Sequence, residues 1–271
     1  MDHCTVLITN DDGVASPGLA ALVRAAVGPG RRVVVAAPAG DQSGTSAAVA
    51  PRPAEGTRVE RVSIAGLDEP GFEDLVAFSV DGPPALAVLA ARIGELGEPA
   101  YSATVIASGV NLGPNTGAAV LHSGTVGAAL AAANLGLSGL AMSIDSMRPA
   151  HLETATAVAA AALDWLAASP PGTVLNVNVP DVALDRISGI RQASLARFGT
   201  VEAVVRETGT EPFTIQLGSK DIEPEPGTDS ALLRAGWVTV TSLVGVRAAA
   251  AGAADGGSAA ADIERAISRA A

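Results

Sequence analysis

The chain has 271 residues, of which 48% are hydrophobic and 17% charged, with a formal net charge of −11 at pH 7. This length fits one large domain or a domain with a sizeable appendage, and the apolar content excludes global disorder. The negative charge argues against a nucleic-acid backbone as partner, and an anionic substrate would need a bound cation to bring it in.

Aromatic residues make up only 3%, so the core must be built from Ala, Val, Leu and Ile. No apolar run reaches the roughly 18 residues of a membrane span. No basic stretch leading into an apolar one opens the chain. Cys4 is the only cysteine, which excludes an internal disulfide. A cytoplasmic protein with no membrane partner is expected.

The first element is a buried strand over Val6-Leu7-Ile8-Thr9, running into Asn10-Asp11-Asp12-Gly13. Ser16 and Pro17 suit the N-cap and first turn of a helix carrying Leu19, Leu22, Val23 and Val27. Two adjacent carboxylates thus stand at the carboxyl end of a strand, where open parallel sheets bind ligands. Side by side they repel unless a cation lies between them, and hard oxygen donors suit Mg²⁺, Mn²⁺ or Ca²⁺. Taken alone, Asn-Asp-Asp-Gly reads as an ordinary turn; the buried strand before it and the capped helix after it favour a metal site.

A second strand over 32–37 leads into the loop Pro38 to Ser46. The strand–helix–strand crossover is right-handed and brings both strand ends to one edge, so Ser43 can lie near Asp11 and Asp12. Val59, Val62 and Ile64 alternate weakly, Phe72 to Val80 holds another strand, and Pro83-Pro84 opens a helix through Ile93. The strand Thr104 to Ala107 feeds a Gly-rich loop from Ser108 to Gly117. Ser123-Gly124-Thr125 then precedes an Ala-rich helix to about Leu135. Glycines next to a helix N-terminus form a phosphate cradle, although such loops are also ordinary connections.

Further on come a strand over Leu140–Ile144, a helix over His151–Ala168 and a strand over 173–179 stopped by Pro180. From residue 181 the pattern changes. Gly199 to Val205 and Phe213 to Leu217 read as a hairpin, Gly218 to Asp229 as a polar loop, and Trp237 to Thr241 as a further strand. The fold class is α/β with a mostly parallel sheet. Residues 1–180 are expected to form the catalytic domain and 181–246 a smaller β-rich oligomerisation extension with a returning strand. Residues 247–271 form an Ala-rich tail with a short helix from Asp262.

With these segments in view, the chain resembles the SurE family of metal-dependent 5′/3′-nucleotidases. The resemblance is carried by Asn10-Asp11-Asp12-Gly13 with Pro17-Gly18, Pro38 with Ser43-Gly44, and Ser108-Gly109-Val110-Asn111 with Gly113-Pro114-Asn115. Ser123-Gly124-Thr125, Asn176-Val177-Asn178-Val179-Pro180 and Gly227-Thr228-Asp229 complete it, in the family's order. It implies a Rossmann-like three-layer α/β/α domain, a hairpin extension that builds homodimers or homotetramers, and Asp11, Asp12, Ser43 and Asn111 as ligands of one divalent metal per subunit. Three places depart from the family pattern. Gly40-Asp41-Gln42 stands where basic residues are usual, Gly82-Pro83-Pro84-Ala85-Leu86 replaces Thr-Pro-x-Asp-Cys, and Ala131 replaces a glutamate.

The expected chemistry is hydrolysis of a nucleoside monophosphate by metal-activated water. Asp11 or Asp12 takes the water's proton, with Asp11 favoured. Asn10, Gly44, Asn115, Ser123, Gly124 and Thr125 face the phosphate or substrate. His122 is either the general acid for the leaving alkoxide or an exposed loop histidine. His3 and His151 read as structural or surface residues, and Cys4 as a small buried hydrophobe. Two alternatives stand beside this: a phosphatase for another small metabolite such as a sugar phosphate, and a metal- or nucleotide-binding protein without catalysis. A dinucleotide-binding dehydrogenase fits poorly, since no G-x-G-x-x-G follows the first strand.

Overall fold

The computed structural model describes residues 4–49, 56–67, 70–98, 100–197, 201–206, 214–219 and 223–246. The strands of its larger sheet are β1 (Cys4–Thr9), β2 (Arg31–Pro38), β3 (Val59–Arg61), β4 (Val76–Val80), β5 (Val105–Leu112), β6 (Ser138–Ile144), β7 (Val174–Val179), β8 (Ile190–Gln192) and β11 (Val238–Leu243). They lie in the order β3-β4-β2-β1-β5-β6-β7-β11-β8. Every neighbouring pair is parallel except β3/β4 and β7/β11. β9 (Val201–Arg206) and β10 (Thr214–Ser219) pair antiparallel as a separate hairpin.

The apolar run of β1 alternates between two faces, and both are covered. Val6 and Ile8 share a core with Leu19, Leu22 and Val23 of α1 (Pro17–Ala26) and Ala155, Ala159 and Leu163 of α4 (Leu152–Ala167). Leu7 points the other way, among Ala87 and Val88 of α2 (Pro84–Arg92) and Ala128 and Ala132 of α3 (Gly124–Asn134). A strand buried on both faces reads as a continuous hydrophobic run, and this is why it was legible. The result is the expected three-layer α/β/α fold. Alanines let the helices sit close to the sheet: a Cβ on Gly139 of β6 would come within 2.3 Å of the Ala129 carbonyl.

The chain starts in the middle of the sheet, winds outward through β2 and β4, then crosses back to place β5 on the other side of β1. β1 and β5 therefore flank a topological switch point, where the outgoing loops diverge and leave a crevice at the carboxyl edge. Ser16 caps α1 by accepting the Gly18 N–H at 3.2 Å, and Pro17 follows it. The start of α1 presses on β5, for a Cβ at Gly18 would fall 1.9 Å from the Val110 carbonyl oxygen.

Several boundaries differ from expectation. β5 does not end at Ala107 but continues to Leu112, taking in Ser108-Gly109-Val110-Asn111. Its register on β6 shifts between Ser108 and Asn111, and Gly109 has φ +128° with no room for a Cβ, which would meet the Met142 carbonyl at 2.3 Å. The glycine is thus a bulge inside a strand and not the opening of a loop. Ile64 packs in the core outside any strand, because β3 stops at Arg61. A short helix, α5 (Asp229–Arg234), and the three-residue β8 were not anticipated. Phe213 and the tail helix from Asp262 lie outside the described residues.

Candidate active site

Three loops meet above β2, β1 and β5. The first, Asn10 to Ser16, is shaped by Asn10, which is fully buried. Its Nδ2 donates to the Gly13 carbonyl at 3.0 Å and its Oδ1 accepts the Gly13 N–H at 3.2 Å. With no exposed surface, Asn10 builds the turn, and both ends of its side-chain amide bond to Gly13. Gly13, at φ +96°, lies against the second loop, where a Cβ would stand 3.0 Å from Gly40. The Gln42 N–H donates to the Asp11 carbonyl at 2.7 Å, and the Val14 N–H to that of Pro38 at 2.9 Å. The first two loops are therefore one unit.

Asp11 and Asp12 differ sharply in their surroundings. Asp11 is 3% exposed. Its Oδ2 accepts the Thr125 N–H at 3.0 Å and its Oδ1 accepts the Thr125 hydroxyl. A Cβ on Gly124 would lie 2.8 Å from the Asp11 carboxylate, so only glycine lets this side chain dock on the start of α3. Asp12 is half-buried and has one long bond, from the Leu112 N–H at 3.4 Å. Burial first, then the charge of Asp11 and more weakly that of Asp41, push its pKa up to about 6, against the opposing effect of the Leu112 bond.

In the second loop, Asp41 Oδ1 accepts both the Ser43 hydroxyl at 2.6 Å and the Ser43 N–H at 2.9 Å. These two bonds hold its carboxyl below the usual range. Gly44 is exposed at φ +80° with open space around it. At the end of β5, Asn111 donates its Nδ2 to the Gly113 carbonyl at 2.7 Å, which leaves Oδ1 for another partner. Asp11, Asp12, Ser43 and Asn111 thus converge on one edge, contributed by three adjacent strands.

The third loop is held from below. Asn115 donates its Nδ2 to Ser143 at 2.9 Å and its N–H to Asn178 Oδ1 at 2.7 Å, while its carbonyl accepts from Asn176 at 2.8 Å and Asn178 at 3.0 Å. Asn115 and the fully buried Thr125 were expected to face phosphoryl oxygens. In the structure Asn115 ties the loop to β6 and β7 through its Nδ2, its N–H and its carbonyl, and Thr125 clamps Asp11 through its N–H and hydroxyl. Ser123 caps α3 by accepting the Val126 N–H at 3.0 Å and keeps its own proton to donate. His122, exposed, stands just before it.

The family model described as Survival protein SurE matches residues 6–202. This chain belongs to the SurE family. The 5'-nucleotidase SurE of Methylococcus capsulatus is 38% identical over 245 residues, which cover 88% of this chain and 90% of that protein. That of Pseudomonas entomophila is 35% identical over 246 residues, covering 88% and 91%. The crystal structure of the SurE protein from Aquifex aeolicus matches with a TM-score of 0.72 at 28% identity, covering 89% of this chain and 93% of that one.

Within this SurE-family chain, sequence reading missed the roles of Asp41, Ser143 and Asp229. Asp41-x-Ser43 has the spacing of an Asx-turn, a signal that could have found the first. Asn176 and Asn178 alternate inside an otherwise apolar strand, so they share one face and point to a polar partner above it. Nothing local marks Thr125 as the partner of Asp11, 114 residues away.

Proposed function

We propose that this protein is a phosphomonoesterase that releases phosphate from nucleoside monophosphates with one divalent cation per subunit. The observation that carries the reading is the convergence of Asp11, Asp12, Ser43 and Asn111 at the switch point, beside the N-terminus of α3. The 5'-nucleotidase relatives support the substrate class. Among the described residues no group of three or more His, Cys, Asp or Glu is arranged to hold a metal ion. The donors on offer are two carboxylates with a hydroxyl and an amide oxygen. Ser43 gives its proton to Asp41 and Asn111 its N–H to Gly113, so both keep lone pairs for a cation. An all-oxygen set of this charge fits Mg²⁺ or Mn²⁺, and Ca²⁺ fits it as well.

When bound, the cation supplies polarisation of the phosphoryl group and offsets the charge that builds up in the transition state. The protein does the rest. Asp11, fixed by two bonds from Thr125, holds the ion. Asp12, with a single 3.4 Å bond, is the freer carboxylate and takes the proton of the attacking water. This moves the base from Asp11, favoured on sequence grounds, to Asp12. The Ser123 hydroxyl and the positive end of α3 receive the phosphoryl oxygens. His122 hands a proton to the leaving alkoxide. Residues 1–180 carry this chemistry, residues 181–246 build a homo-oligomer in the cytoplasm, and β11 returns from that extension to the sheet.

Phosphate release from nucleoside monophosphates and sugar phosphates, compared in Mg²⁺, Mn²⁺ and EDTA, tests the reading. Cation-dependent release with nucleotides preferred is expected. Preference for a sugar phosphate would replace the substrate class, and metal binding without release from any substrate would replace catalysis by binding.

A further inference from the structure

Asp229, which this mechanism does not use, opens α5 and is fully buried. Its Oδ1 accepts the Ala196 N–H at 2.9 Å and the Ser230 N–H at 2.8 Å, while its Oδ2 accepts the Gly117 N–H at 2.8 Å. Its own N–H donates to the Ser194 carbonyl at 2.8 Å, and Ser194 bridges Thr228. Residues 194–196 and 228–229 therefore meet at one point. The chain between them, which carries the β9/β10 hairpin, departs and returns there.

Gly117 opens a 3-10 turn (Gly117–Leu121) that delivers His122 and Ser123 to the active site. The far end of this turn is tied to the second loop: Ser46 Oγ donates to the Leu121 carbonyl at 2.7 Å and the Ser46 N–H to that of His122 at 3.3 Å. The turn is strung between Ser46 and Asp229. Asn115, just upstream, is anchored separately on Asn176 and Asn178. A carboxylate suits the junction because both its oxygens only accept. An amide in its place would point N–H against N–H on one side.

We infer that Asp229 is a positioning residue that couples the base of the hairpin arm to the active-site turn, setting Ser123 and His122 for turnover without touching substrate or cation. The inference rests on the proposed phosphatase reading for its kinetic consequence, but not for its structural one. Asp229→Asn in the full chain is the test, read by hydrogen exchange, kinetics and Mn²⁺ calorimetry. Amides of 117–123 and of 194–197 exchange faster together, while β1 and β6 stay as in the wild type. Turnover falls on the order of 10- to 100-fold with KM and Mn²⁺ affinity within about twofold, since the turn and not the cation site is displaced.

Faster exchange confined to 223–236, unchanged turnover, or loss of Mn²⁺ affinity in step with kcat would overturn it. If the wild type releases no phosphate, the functional reading fails, and the exchange pattern alone decides the coupling. Should the variant not fold, the wild type suffices: Mn²⁺ with inorganic phosphate protects 117–123 and, through Asp229, also 194–197. Protection that stops at 123 would contradict the inference.

Discussion

Adjacent carboxylates with unequal surroundings give the residue scale its sharpest consequences. Asp12 has a folded pKa near 6 against an ordinary 3.8, so in the cation-free protein its stability contribution is full below the ordinary value and lost as pH rises through the folded one. Asp12→Asn removes that loss. The variant is expected to melt higher than the wild type at pH 7.5 and equally at pH 3.5, by about 1–2 kcal/mol once screening of a half-exposed group is allowed for. Saturating Mn²⁺ reverses the order, because an ion at a hundredfold excess over Kd adds about 2.7 kcal/mol to the form that binds it. Thermal melts at the two pH values with and without Mn²⁺ check both signs. Thr125→Val keeps the shape of Thr125 but removes the hydroxyl that orients Asp11. Cation affinity should drop roughly 10- to 100-fold, as for other groups that steer a metal ligand. Calorimetry showing unchanged affinity with lower turnover would return Thr125 to the phosphate.

Helices and strands show which local rules survive tertiary packing. β1, β2, β6, β7, α1 and α4 were legible because a long apolar run or a capped, periodic segment carries its own signal. β5 was read too short because Ser-Gly-Val-Asn looks like loop chemistry. Only the approach of Met142 on β6 reveals Gly109 as a bulge within a strand. Gly109→Ala is therefore expected to cost about 1–3 kcal/mol in denaturant unfolding, the range for a forced backbone conformation. A cost near zero would mean β5 can straighten. α5 and β8 are six and three residues long, too short to build periodicity, and they exist through tertiary bonds such as those of Asp229. The candidate site divides the same way. Asp11 and Asp12 announce themselves by adjacency at a strand end. Asn10, Asn115 and Thr125 carry the right chemistry for a ligand, and the partners the structure gives them stand on the protein itself, for Asn115 and Thr125 far along the chain.

At the scale of the whole molecule, a chain of net charge −11 gathers its crevice from three parallel strands and caps it with one helix N-terminus. The field of such a molecule repels anions, so a phosphorylated substrate and a cation should bind cooperatively, each raising the affinity of the other. The β9/β10 hairpin stands apart from the larger sheet, and a lone two-stranded hairpin is marginal in water unless something covers it. Light scattering on the intact chain should give an oligomer, and a variant lacking residues 199–217 a smaller species. A strictly monomeric intact chain would rule out the hairpin's proposed role.

The most direct measurement is the Mn²⁺ dependence of phosphate release from a nucleoside monophosphate by the wild type, Asp11→Asn and Asp12→Asn side by side. Release that requires Mn²⁺, is abolished by EDTA and is lost in both folded variants at saturating Mn²⁺ is the predicted result. Near-wild-type turnover in either variant would contradict it.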